Sequence, residues 1–206
     1  MSVLDGLDQV DWSKLAHAYG PAADVPALIR ALVSPEPLER EAAYQELFGN
    51  IWHQGTVYEA SARALPFLID LLASERTPDR DTLAVLVASI MGGRGYCEIH
   101  FAKNRINPFT GKPVDPSFDI DARLREEKNV VAQVRGQGAR AIPLLVPYLK
   151  HPDLGVRSDI ARALAWYPSE FSTIVPALER ALLDEADEEA REMMQAALRE
   201  LANGPG

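Results

Sequence analysis

The sequence predicts an all-α protein: a short α-solenoid of antiparallel helix pairs with one long ordered loop insertion. Two observations predict the array, and a third predicts the insertion. Leucine columns recur behind four spaced prolines, an arginine opens a second apolar stripe after each, and the period breaks once, at a stretch rich in glycine and proline.

The columns come from aligning Pro26, Pro66, Pro143 and Pro176. Two residues further on stand Leu28, Leu68, Leu145 and Leu178, and six further on stand Leu32, Leu72, Leu149 and Leu182. The residue before each proline is Val25, Leu65, Ile142 or Val175, which completes one apolar stripe at helical spacing. Arg40, Arg80, Arg157 and Arg191 then each lead a second stripe, through Ala43, Leu83, Ile160 and Met194 to Leu47, Val87, Leu164 and Leu198. No pair of such helices can bury both stripes alone, so each is expected to be covered by the next pair along the stack. A buried leucine is worth roughly 1.5–3 kcal/mol, against about 0–1 kcal/mol for a surface ion pair, so the columns set the stability.

In chain order, residues 1–22 read as an N-terminal cap, with a short helix from Asp11 to Tyr19 that Gly20-Pro21 ends. Residues 24–33 form the first proline-entered helix, and Ser34-Pro35-Glu36-Pro37 starts the next, with Ser34 as its cap. At residues 53–68, Gly55 permits a turn, and Thr56 with Glu59 has the form of a capping box. His53, Gln54 and Tyr58 then cluster at a helix–helix corner. This corner is either a binding site or a plug that satisfies helix-end carbonyls, and the plug is favoured because helix ends need partners. Pro66 and Pro143 belong to comparable kinked helices. Thr77 and Pro78 start a helix that ends at Met91.

Pro66 to Pro143 spans 77 residues, against 40 and 33 for the other two intervals. Residues 92–119 have no helical stripe and account for the excess. So long a connection inside a compact array is usually functional or disordered. Four of the fifteen aromatics (Tyr96, Phe101, Phe109 and Phe118) lie here, which favours order. Arg94, Lys103, Arg105 and Lys112 against Glu98, Asp115 and Asp119 make the segment +1 on a chain of −9. Alternation from Tyr96 to Phe101 predicts a short half-buried strand, with Cys97, Ile99 and Phe101 on one side. A charged helix over 120–135 follows, Gly136 and Gly138 break the chain, and a C-terminal capping helix over 186–202 opens on acidic residues that complement its dipole.

The run P-x-L-x-x-x-L, a D-P or P-D turn and then V-R-x-x-x-A-x-A-L resembles a HEAT repeat of the short bacterial type, also found in phycobilin-lyase-like proteins. The stretch Pro143 to Leu164 carries it most clearly. The resemblance covers most of residues 24–202 and implies a single solenoid domain over 1–206. Trp12 to Gly20 (W-x-x-L-A-H-A-Y-G), the H-Q-G-T-V-Y stretch and the R-G-Y insertion further resemble bacterial HEAT-repeat proteins of the immunity type. That likeness implies an acidic inhibitor masking a basic toxin.

The expectation is therefore a non-enzymatic protein-binding module in the cytoplasm, an immunity-type inhibitor or adaptor. Its partner contacts are Arg94, Tyr96, His100, Phe101, Lys103, Arg105, Phe109 and Lys112 on the loop. Arg63, Phe67, Asp70, Arg140 and Tyr148 are the expected contacts on the concave face. The charge of −9 disfavours nucleic acid and suits a basic protein. No apolar run has the length of a membrane span. Four scattered histidines and the lone Cys97 give no metal spacing, and no catalytic motif or cofactor is expected. The arginine row is expected to bond neighbouring repeats rather than an anion. The alternatives are a HEAT-like DNA glycosylase or a cofactor-attachment chaperone.

Overall fold

A computed structural model describes residues 4–101, 106, 111–115 and 117–203. The prolines and leucines that set the repeat period build α1 (Val25–Ala31), α3 (Glu59–Ala73) and α9 (Phe171–Asp184). Their partners are α2 (Pro37–Asn50), α4 (Arg80–Gly92), α8 (Leu154–Leu164) and α10 (Glu188–Asn203). Within the second set α2 packs on α4, α4 on α8 and α8 on α10, while α1 packs on α3. One apolar core runs from Leu7 to Leu201.

Six of the eight column leucines are buried, whereas Leu28 and Leu182 are half-buried. These two belong to the first and last of the four copies. The second-helix column of Ala43, Leu83, Ile160 and Met194 is buried in every copy.

Pro143 lies differently from Pro66. Pro66 sits inside α3, but residues 139–150 form a 3-10 turn, the four-residue α7 (Ile142–Leu145) and a second 3-10 turn. Pro143 and Pro147 each remove a backbone donor here, which shortens the α-helical run.

The expected helix over 11–19 is absent. Trp12–Lys14 make a single 3-10 turn, and the chain then forms a hairpin of β1 (Ala16–His17) with β2 (Gly20–Pro21). Partners elsewhere take the amides a helix would have used. The Ala18 N–H donates to the Asn50 carbonyl and the Tyr19 N–H to His17 Nδ1. The Thr56–Glu59 capping box is replaced too. Thr56 enters a second hairpin, β3 (Trp52–His53) with β4 (Thr56–Val57), and Ser61 accepts from the Tyr58 N–H instead.

The second helices begin later than their prolines suggest. Ser34 accepts from the Glu36 N–H ahead of α2, and Thr77 is buried with its hydroxyl donating to the Leu71 carbonyl at the end of α3. Gly136 and Gly138 do not break the chain but lie within α6 (Ile120–Gly138). A Cβ at Gly138 would collide with the Tyr167 hydroxyl, so that glycine serves close packing.

The strand expected at 96–101 is a helix, α5 (Tyr96–His100). Cys97 and Phe101 are four residues apart, one helical turn, and bury together with Ile120 in a small separate core. Ile106 pairs with Pro113 further along the insertion.

Candidate binding surface

The β3–β4 hairpin turns through Gln54 (φ 50°) and Gly55 (φ 89°), the two left-handed positions of a two-residue turn that matches strand twist. Below the turn, buried Thr56 donates its hydroxyl proton to the His53 carbonyl at 2.6 Å. Its oxygen can then only accept from the Tyr58 hydroxyl, also at 2.6 Å. His53 Nδ1 lies 3.0 Å from the Gly49 carbonyl. A carbonyl cannot donate, so Nδ1 carries the proton and satisfies the end of α2. Gln54 is exposed at the tip.

The insertion joins this hairpin at its first residues. The Arg94 N–H donates to the Gly55 carbonyl (2.9 Å) and the Val57 N–H to the Arg94 carbonyl (3.0 Å), which sets Arg94 parallel to Thr56. A Cβ at Gly93 would strike the Val57 side chain, so only glycine allows the approach. His53, Gln54 and Tyr58 thus share one surface with Arg94, Tyr96 and His100, although 38 residues separate Thr56 from Arg94.

Around this junction the Tyr96 and His100 rings lie 4.4 Å apart. Arg94 faces Glu98 at 3.8 Å. Burial pushes the Tyr58 hydroxyl above its ordinary pKa, and the charges of Tyr96, Tyr19 and Glu127 add to the rise. Glu127 of α6 accepts from the Cys97 N–H at 2.9 Å and holds the start of α5. Burial pushes the Cys97 thiol up to about 12, with Glu127 adding to the shift.

Sequence reasoning missed Tyr19. It stands at the tip of the β1–β2 hairpin, 73% exposed, with its ring edge-on to His53 at 5.4 Å. The Tyr19-Gly20-Pro21 stretch carries a turn signal that, in the sequence alone, equally ends a helix.

Phe101 is 5% exposed in the small core, so it stabilises the insertion from inside rather than contacting a partner. Lys112 is exposed. Lys103, Arg105 and Phe109 lie outside the described residues. The expected concave-face residues fall into two places. Arg63, Phe67 and Asp70 follow one side of α3, where Asp70 pairs with Arg140 at 2.9 Å and half-buried Phe67 lies 6.4 Å from Trp12. Tyr148 instead lies 6.1 Å from His151, its hydroxyl raised by burial and influenced by Arg80 and Asp81.

The arginine row is spent within the fold. Arg40 donates to Asp79 and the Ser34 carbonyl, Arg80 to the Leu72 carbonyl, Arg157 to Glu185 and the His151 carbonyl, and Arg191 to the Glu185 carbonyl. Among the described residues no three His, Cys, Asp or Glu side chains gather as a metal would need, and no helix is long and apolar enough to cross a membrane.

The family model for HEAT repeats matches residues 128–199, from the second half of α6 into α10. No curated protein and no solved structure matches the chain. The matched stretch and the mostly helical architecture together support a HEAT-repeat protein.

Proposed function

We propose that the chain is a non-enzymatic protein-binding module, a short α-solenoid that takes its partner on the surface where the two hairpins meet the start of the insertion. HEAT repeats commonly serve as protein-interaction modules, which is compatible with this reading. The pairing of Arg94 with Thr56 carries it, because it sets Tyr96 and His100 beside Gln54 and Tyr58, next to the exposed Tyr19 ring that packs on His53. Tyrosine supplies large contact area at low entropic cost, and helix connections are where a scaffold can vary without disturbing its core. The face of α3 bearing Arg63 and Asp70 is a second contact. A formal charge of −9 favours a basic partner.

The finer reading is an inhibitor or adaptor of the immunity type. In its favour, the sequence stretches that resemble such proteins contain His17, Tyr19, His53, Tyr58 and Tyr96, which line this surface or support it.

Affinity capture from native lysate, run with wild type and with Tyr19→Ser/Tyr96→Ser, tests the site. The expected result is a specific protein retained by wild type and lost by the double variant, with helical content and melting preserved. Equal retention would remove this surface as the contact, and loss instead on Arg63→Ala would move the contact to α3.

A further inference from the structure

We propose that His17 is a proton-operated catch: its neutral imidazole holds the β1–β2 turn and the exposed Tyr19 ring in place, and protonation releases them. His17 Nδ1 lies 3.0 Å from the Tyr19 backbone nitrogen. An amide N–H can only donate, so Nδ1 must be bare and the ring proton must sit on Nε2. That proton points at Asp24 Oδ1, 3.1 Å away. The other Asp24 oxygen accepts from the side chain of buried Asn50 at 2.9 Å, and the Asn50 carbonyl accepts from the Ala18 N–H. The imidazole is therefore held between two fixed partners, with only 8% of its side chain exposed.

A second ring proton would go on Nδ1, where it would face the Tyr19 N–H donor to donor. The groups facing the ring and its turn are Asp24 at the start of α1, Tyr19 of the turn itself, His53 of the second hairpin and Glu59 of α3, which accepts from the Ala16 N–H. Asp24 retains the charged ring, so the amide contact is what gives way. Gly20, at φ 133°, lets the released turn rearrange.

The same bracket recurs at His151. Its Nδ1 accepts from the Asp153 N–H at 3.1 Å and its Nε2 faces Asp81 at 3.2 Å. That turn is stiffened by Pro152 and by Arg157 on the His151 carbonyl, so it stays shut. The His17 turn has neither restraint. Its consequence for partner binding rests on the surface proposed above, whereas the catch itself does not.

Nitrogen-15 NMR of the full chain, recorded from mildly alkaline to acidic pH, tests the catch without a partner. Expected are a proton on Nε2 of His17 at the alkaline end and an upfield shift of the Tyr19 amide proton on the same titration curve as His17. In His17→Asn the side-chain oxygen replaces Nδ1 and does not titrate, so the Tyr19 amide should stay fixed. A proton on Nδ1 at the alkaline end, a Tyr19 amide indifferent to the His17 titration, or an unchanged curve in His17→Asn would each overturn the proposal. If the variant does not fold, the wild-type titration decides alone.

Discussion

Arg157 grips Glu185 with two bonds, Nε to Oε2 at 2.7 Å and Nη2 to Oε1 at 3.0 Å, and so ties the first turn of α8 to the turn between α9 and α10. Their side chains are 13% and 6% exposed. Removing one member leaves the other poorly solvated and uncompensated. Glu185→Ala should therefore cost about 2–3 kcal/mol, and adding Arg157→Met should cost less than the sum of the two, measured by urea denaturation. Burial pushes the Glu185 carboxyl up, but the Arg157 bond and the Asp187 N–H outweigh it and leave the pKa below its ordinary value of 4.5. A carboxyl lowered in this way contributes its full stability above that ordinary value. The contribution fades as the pH falls through the lowered one, so the loss from Glu185→Ala should be large at neutral pH and vanish in strong acid.

Leu145 is fully buried in the third repeat, while Arg123 and Glu126 pair at 3.2 Å with both side chains mostly exposed. Leu145→Ala should lower stability by about 2–5 kcal/mol, and Arg123→Ala should leave the urea midpoint almost unchanged.

Two glycines of α6 should respond with opposite signs. A Cβ at Gly136 meets nothing, so Gly136→Ala should stabilise by about 0.5–1 kcal/mol through helix propensity. At Gly138 the same methyl would hit the Tyr167 hydroxyl and come within 2.8 Å of Met91 Cγ. Gly138→Ala should destabilise by about 1–3 kcal/mol in spite of the propensity gain, with thermal melting as the measure.

Thr56 is 1% exposed and serves both the His53 carbonyl and the Tyr58 hydroxyl. Thr56→Val keeps the shape and removes both bonds, so it should cost about 1–2 kcal/mol by chemical denaturation.

Cys97 is the chain's only cysteine, buried, with its thiol pushed up to about 12. It should resist an aromatic disulfide reagent in the native protein and react fully in denaturant. Rapid labelling under native conditions would mean that the small core around Phe101 opens readily.

The repeat was legible because it is a local pattern written four times. The leucine columns, the second stripes and the arginine positions each concern residues within about one helical hairpin of each other, and the structure buries or bonds them accordingly. What tertiary structure alone decided is where the chain meets itself over long separations. From Tyr96 to Phe101 the alternation suited a strand, but Cys97 and Phe101 also fit one helical turn. The choice fell to Glu127, which takes the Cys97 N–H from 30 residues away. His17, Tyr19 and Asn50 likewise met only on folding, and their bonds turned an expected helix into a hairpin. Periodicity records which face of an element is apolar. It carries no record of which distant amide or carboxylate will satisfy the polar groups at that element's ends, and those partners shape the surface at the hairpin end.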